Sequence, residues 1–239
     1  MKDTVADIYK DGRYAANNPD CGEENAVWKA GQILRIMEQA GIKPRTVLEI
    51  GCGSGGILEF MHGCMDPLVS FTGLEPMPEA FAKCSAKARE RLVFRNCAAG
   101  DVQEVFDLVL LLDVFEHVED YMGFLRSLAR LGRQFIFHIP LDMTVQMVLR
   151  DEPVMRVRRG VGHLHYFSKN TALATLRDTG YEIQDWFYSD TRGSAYAPLR
   201  TRLMKLPRRL LMSIAPDFAV RLLGGNPVTV LARPVSPPA

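Results

Sequence analysis

The sequence predicts an α/β protein whose mostly parallel sheet carries helices on both faces. Three observations lead there. Beyond about residue 45, short apolar runs alternate with helical patterns, as in βαβ units. The runs carry no polar stripe, which marks strands buried on both faces. The first run ends in a glycine-rich turn that opens a helix, the usual ligand-binding edge of such sheets.

Residues 1–44 read as a helical cover. In it Val27, Ala30, Leu34 and Met37 form an apolar stripe, with Lys29, Gln32 and Arg35 on the opposite face. Residues 45–188 read as the core. Thr46 to Ile50 is the first strand, Leu68 to Leu74 the second, and Phe106 to Leu112 and Gln134 to Ile139 are two more. Tyr121, Leu125, Leu128 and Leu131 recur at helical spacing, and a helix through Ala172 to Leu176 follows the cap candidates Ser168 and Asn170 and stops at Gly180. Tyr181 to Tyr188 is a strand, and the last strand is expected over 227–233. Between them, residues 189–226 are expected to be a helical insertion. There Leu199, Leu203, Leu206, Leu210 and Ile214 lie opposite Lys205, Arg208 and Arg209, and Pro207 divides the segment into two helices. Residues 234–239 read as a disordered tail, and the whole chain as a single domain.

Composition narrows the function. The 239 residues are 47% apolar and 24% charged, which excludes disordered and fibrous classes. With 29 Lys and Arg against 28 Asp and Glu, no cationic field exists to hold a polyanion, so nucleic acid is not an expected partner. No apolar run is long enough for a transmembrane segment, and a cytoplasmic protein is expected. Five cysteines without a C-x-x-C spacing argue against a disulfide framework or a structural zinc site.

The turn reads Glu49-Ile-Gly51-Cys-Gly53-Ser-Gly55-Gly56. Spacing alone leaves its ligand open, because Gly51, Gly53 and Gly56 satisfy G-x-G-x-x-G and Glu75 lies near the place of a ribose-binding acid. A nicotinamide-dependent dehydrogenase is therefore one reading. Glu49 decides against it. A carboxylate beside the turn repels a pyrophosphate and attracts a cation, and S-adenosylmethionine carries a sulfonium and an ammonium but no phosphate.

On these residues the sequence resembles the class I S-adenosylmethionine-dependent methyltransferases, whose first motif, E/D-x-G-x-G-x-G, is matched by Glu49, Gly51, Gly53 and Gly55. Leu112-Asp113-Val114-Phe115-Glu116-His117-Val118 and Gly162-His163-Leu-His165-Tyr-Phe-Ser extend the likeness to the small-molecule subgroup that includes ubiquinone-pathway and sugar-modifying members. The resemblance implies the Rossmann-like fold with seven strands and S-adenosyl-L-methionine as cofactor. It implies that the glycines pass close to the methionine part, that Glu49 acts on its amino group and that Glu75 takes the ribose hydroxyls. Asp113 would border the cofactor. For the adenine neighbour, Asn96, Cys97 and Asp101 stay open, with Asn96 the site residue named.

The implied reaction is methylation of a small-molecule acceptor, expected at an oxygen of a sugar or other biosynthetic intermediate. A cofactor-binding scaffold that has lost turnover is the non-enzyme alternative. A general base is optional for such a transfer; for a hydroxyl acceptor an imidazole can take the proton, and His163 and His117 are the candidates. His138 reads as a core histidine and His62 as exposed. No metal is expected, since the seven acids of residues 101–120 read mostly as a solvated face and helix N-terminal acids. Arg150, Arg156, Arg158 and Arg159 form one basic group able to meet an acidic acceptor. Residues 199–214, with Arg200, Arg202, Lys205, Arg208 and Arg209, form a second surface, able to touch a membrane peripherally.

Overall fold

The computed structural model describes residues 8, 12–189 and 210–236. The cover comprises α1 (Arg13–Asn17), a 3-10 turn at Glu23–Asn25 and α2 (Ala26–Ala40). Then follow β1 (Thr46–Ile50), α3 (Gly56–Cys64), β2 (Ser70–Leu74), α4 (Pro78–Ser85), β3 (Leu92–Arg95) and β4 (Phe106–Leu112). The second half holds α5 (Tyr121–Leu128), β5 (Gly132–Ile139), α6 (Val145–Arg150), α7 (Glu152–Val161), α8 (Lys169–Asp178), β6 (Tyr181–Tyr188), α9 (Pro216–Leu223) and β7 (Val228–Pro234).

The strands form one sheet in the order β3-β2-β1-β4-β5-β7-β6. All pairings are parallel except those of β7, which runs antiparallel to both β5 and β6. Period-two alternation divides the core into two layers. Val47, Leu108, Leu110 and Leu112 pack with Ala30, Ile33 and Ile36 of α2 and Leu58 and Met61 of α3. Leu48, Val109, Leu111, Phe135 and Phe137 pack on the other face with α5, α8 and Val220 of α9. Glu49 shares the face of Val47, so it is turned toward α2.

Local chemistry fixes the helix ends. Asp120 caps α5 by accepting from the Gly123 amide, Ser168 and Thr171 form a capping box on α8, and Gly41 in the left-handed region closes α2. Lys169 donates to both carboxylate oxygens of Asp217 at 2.8 and 2.7 Å, and the Tyr188 hydroxyl donates to the same group, which pins α9 to β6.

Several expectations change. The buried face of α2 is Ala26, Ala30, Ile33, Ile36 and Met37, and Val27 is 60% exposed, so the helix is rotated from the expected stripe. β2 begins at Ser70 because Leu68 sits in a turn, its amide donating to Asp66 at 2.8 Å. Pro234 closes β7 instead of opening a tail, and the Val235 amide donates to the Gly180 carbonyl. Residues 237–239 and the stretch 190–209, with Leu199, Leu203, Leu206 and all five residues of the second basic group, lie outside the described residues. From 210 the chain is helical, with Leu210 and Ile214 exposed. Among the described residues no helix is long and apolar enough to cross a membrane.

Candidate active site

β1 ends at Ile50, and the chain turns through Gly51, Gly53 and Gly55 at φ of +70°, +54° and +75°. L side chains disfavour all three conformations. The amides of Gly51 and Cys52 donate to the Leu74 carbonyl, and the Ser54 amide donates to the Cys21 carbonyl of the cover. A Cβ on Gly55 would lie 2.8 Å from Cys84 and the Phe94 ring. The glycines thus serve contacts within the protein as well as access to the backbone.

Glu75, just beyond β2, is 6% exposed. One carboxylate oxygen accepts from the Gly53 amide at 2.8 Å and the other from the Met77 amide at 2.9 Å. Burial raises its pKa while these two amides pull it back. A carboxylate has lone pairs to spare after two such bonds, so Glu75 is aimed and still able to accept. Asn96 donates its side-chain amide to the Glu75 backbone carbonyl at 2.7 Å, which puts it beside the same edge. Asp101 instead folds back on the Ala98 amide.

Glu49 is 2% exposed, and one of its oxygens has no hydrogen-bond partner among the described residues. Burial pushes its pKa up to about 8, against the pull of Lys29. Lys29 comes from α2, and its ammonium lies 2.7 Å from Asp113. The opposite-face reading of Lys29 is therefore corrected: the rotation of α2 turns it inward. Asp113 also accepts from His138 Nδ1 at 2.7 Å. Burial favours the neutral carboxyl of Asp113, but Lys29 and His138 together hold it well below the usual carboxylate range. His138 is buried as expected, and it is joined to the site through Asp113.

Beyond β4, the short turn Phe115–His117 carries Glu116, which is fully buried with neither carboxylate oxygen hydrogen-bonded among the described residues. Burial, then repulsion from Asp113, raises its pKa well above the ordinary value. This corrects the solvated reading of the acidic run. Its backbone carbonyl accepts from the amides of Leu164 and His165, which stitches the β4 loop to the segment after α7. That stitch brings the His117 and His163 rings edge to face, 4.7 Å between centroids. Burial, then His163, pushes the pKa of His117 down to about 4.

His163 Nδ1 lies 2.6 Å from an Asp142 carboxylate oxygen. An ionised carboxylate only accepts, so Nδ1 carries a proton, and in the neutral imidazole Nε2 is then the nitrogen with the lone pair. His165 turns the other way, donating Nε2–H to the Val118 carbonyl at 3.0 Å. His62 meets the Glu90 carbonyl on α3, away from these groups. Single ligand atoms of Glu116, His117 and His163 lie within 4.8 Å of one another, a spacing that suits a divalent ion or the polar end of an acceptor.

The structure thus gathers Glu49, the three glycines, Glu75, Asn96 and Asp113 at one end of the sheet, and His117 with His163 beside Glu116. Lys29, Glu116, His138 and Asp142 were not among the expected site residues. Only Glu116 carried a sequence signal, its place in the D-V-F-E-H string. A buried Glu49 with one oxygen unpartnered among the described residues suits an ammonium group, the tight glycine turn suits close backbone approach, and Glu75 suits a pair of hydroxyls. These donors fit S-adenosylmethionine, which supplies a methyl carbon activated by its sulfonium when bound.

Comparison with known proteins agrees. A family model described as a methyltransferase domain matches residues 27–185. The ubiquinone biosynthesis O-methyltransferase of Pseudomonas paraeruginosa (strain DSM 24068 / PA7) is 29% identical over 177 residues, 69% of this chain and 74% of that enzyme. The ajmaline N-methyltransferase of Rauvolfia serpentina is 26% identical over 204 residues, 77% of this chain and 64% of that enzyme. The fold is shared with magnesium protoporphyrin IX methyltransferase of Synechocystis PCC 6803, solved with bound S-adenosylhomocysteine, at a TM-score of 0.62 and 15% identity over 95% of this chain and 97% of that one. Cofactor site, sheet order and sequence likeness converge: this chain belongs to the methyltransferase-domain family and is an S-adenosylmethionine-dependent methyltransferase of class I.

Proposed function

We propose that the enzyme methylates an oxygen of a small biosynthetic acceptor, a sugar hydroxyl or a phenol, with His163 as the base. The observation that carries this reading is the Asp142–His163 pair, buried beside Glu116 and His117 at the ligand-binding end of the sheet. In this reading the acceptor oxygen attacks the methyl carbon in line as the carbon–sulfur bond breaks, and the sulfur keeps the electron pair. The hydroxyl proton passes to Nε2 of His163. Asp142 acts as a positioning residue, holding the tautomer that leaves Nε2 bare. Much of the rate comes from holding the nucleophile about 3 to 3.5 Å from the methyl, and a placed base adds roughly 10² to 10⁴. Glu49, the glycine loop and Glu75 hold the cofactor, with Asn96 and Asp113 at its borders. O-methylating relatives support the choice of oxygen.

The test is an acceptor screen with trideuteromethyl-labelled cofactor against phenols, hexoses and primary or secondary amines, read by mass spectrometry and by the chemical shift of the new methyl group. O-methyl products from the first two classes are the expected result. Methylation of amines alone would replace this reading with nitrogen transfer.

A further inference from the structure

Lys29 sits in the first turn of α2, where the helix dipole disfavours a cation. Anions must hold it there. Asp113 does so at 2.7 Å, and Lys29 also lowers the pKa of Glu49, so its field reaches the end of β1 as well. Only 12% of its side chain is exposed. It therefore occupies the space between the glycine turn and the β4 loop, on the cofactor side of the cover.

The methionine end of the cofactor is a zwitterion, with an ammonium that needs an acid and a carboxylate that needs a cation. The acids are present in Glu49 and Asp113. Other cations close to this end of the sheet are engaged elsewhere: Lys87 pairs with Glu23 and Glu59, Lys83 donates to the Pro19 carbonyl, and Arg35 stacks on the Phe187 ring. Asp113, by contrast, has two cationic partners. His138 can go on holding it at Oδ1 while the ammonium at Oδ2 turns to a second anion.

We propose that Lys29 receives the methionyl carboxylate of the cofactor, shared at that moment with Asp113, which His138 keeps in place. The assignment rests on the methionine end lying over the glycine turn. It makes the cover a part of the cofactor site: a residue outside every sequence motif of the core selects the intact amino-acid end of the ligand.

The test is calorimetric and needs no acceptor. S-adenosylmethionine is compared with its decarboxylated form, which keeps the sulfonium and the amino group, on the wild type, Lys29→Met and Lys29→Arg. A charge-assisted contact of this kind predicts that the wild type prefers the carboxylated ligand by roughly 10- to 100-fold. Lys29→Met should lose the preference and bind the two ligands alike, and Lys29→Arg should recover part of it. Full discrimination by Lys29→Met would overturn the proposal, and so would equal weakening of both ligands, which marks a purely structural lysine. A wild type that binds both alike overturns it without any variant. A wild type that binds neither removes the cofactor reading on which it rests.

Discussion

The backbone carbonyl of Cys21 stands 2.5 Å from the point a Cβ on Gly53 would occupy, so cover and glycine turn meet with no room for a side chain. Gly53→Ala adds that Cβ at φ +54°, where an L residue costs about 1–2 kcal/mol before the clash is counted. The variant should melt a few degrees lower and bind S-adenosylhomocysteine at least about tenfold more weakly. Calorimetry with a thermal melt checks both. Normal affinity would mean that the turn does not hold the cofactor.

Cofactor binding should release a proton. With its pKa raised to about 8, Glu49 is mostly neutral at pH 7 in the free protein, and an arriving ammonium favours its ionised form. Affinity for S-adenosylmethionine should rise with pH and level off above about 8. Titrations in buffers of different ionisation enthalpy count the proton, and Glu49→Gln should abolish the count. The folding term has the opposite sign. Because the folded pKa lies above the unfolded one, the contribution is complete below about pH 4.5 and is lost as pH rises through about 8.

With an acceptor from the screen, His163→Gln should lower kcat by roughly 10² to 10⁴. Asp142→Asn should lower kcat and move the pH–rate profile while leaving affinity for S-adenosylhomocysteine unchanged. His117, whose pKa is pushed down to about 4, stays neutral across ordinary assay conditions. His117→Asn should therefore keep the wild-type profile between about pH 5 and 9. A profile that follows His117 and ignores Asp142 would reassign the base.

Phe115 is 1% exposed and packs against Phe137, Phe167 and Tyr121 directly beneath the β4 loop. Truncation to Ala should cost about 3–5 kcal/mol in urea unfolding. A loss below about 1 kcal/mol would show that the loop carries no core of its own.

The sheet was legible because strands buried on both faces cannot disguise themselves: Phe106 to Leu112 and Thr46 to Ile50 leave no other reading. Glu49 and Glu75 were legible because an acid fixed relative to a glycine turn has a defined place in the fold. Lys29 was not, since a one-residue choice of which apolar positions of α2 face inward decides whether it meets solvent or Asp113. Glu116 was hidden in a run of acids, where nothing local separates a buried carboxyl from a hydrated one. Asp142 and His138 find their partners 21 and 25 residues away, and spacing does not encode such meetings.

Because β7 runs between β5 and β6, β6 has no other neighbour in the sheet. On a ribosome, β5 must therefore wait with an open edge until some ninety more residues have emerged, several seconds or more at about 5–20 residues per second. Through that interval the row of amides and carbonyls along Phe135 to Ile139 invites pairing with another chain. The residues proposed to hold the cofactor all precede this row, so a nascent chain can assemble the proposed ligand-binding half first and seal its sheet last.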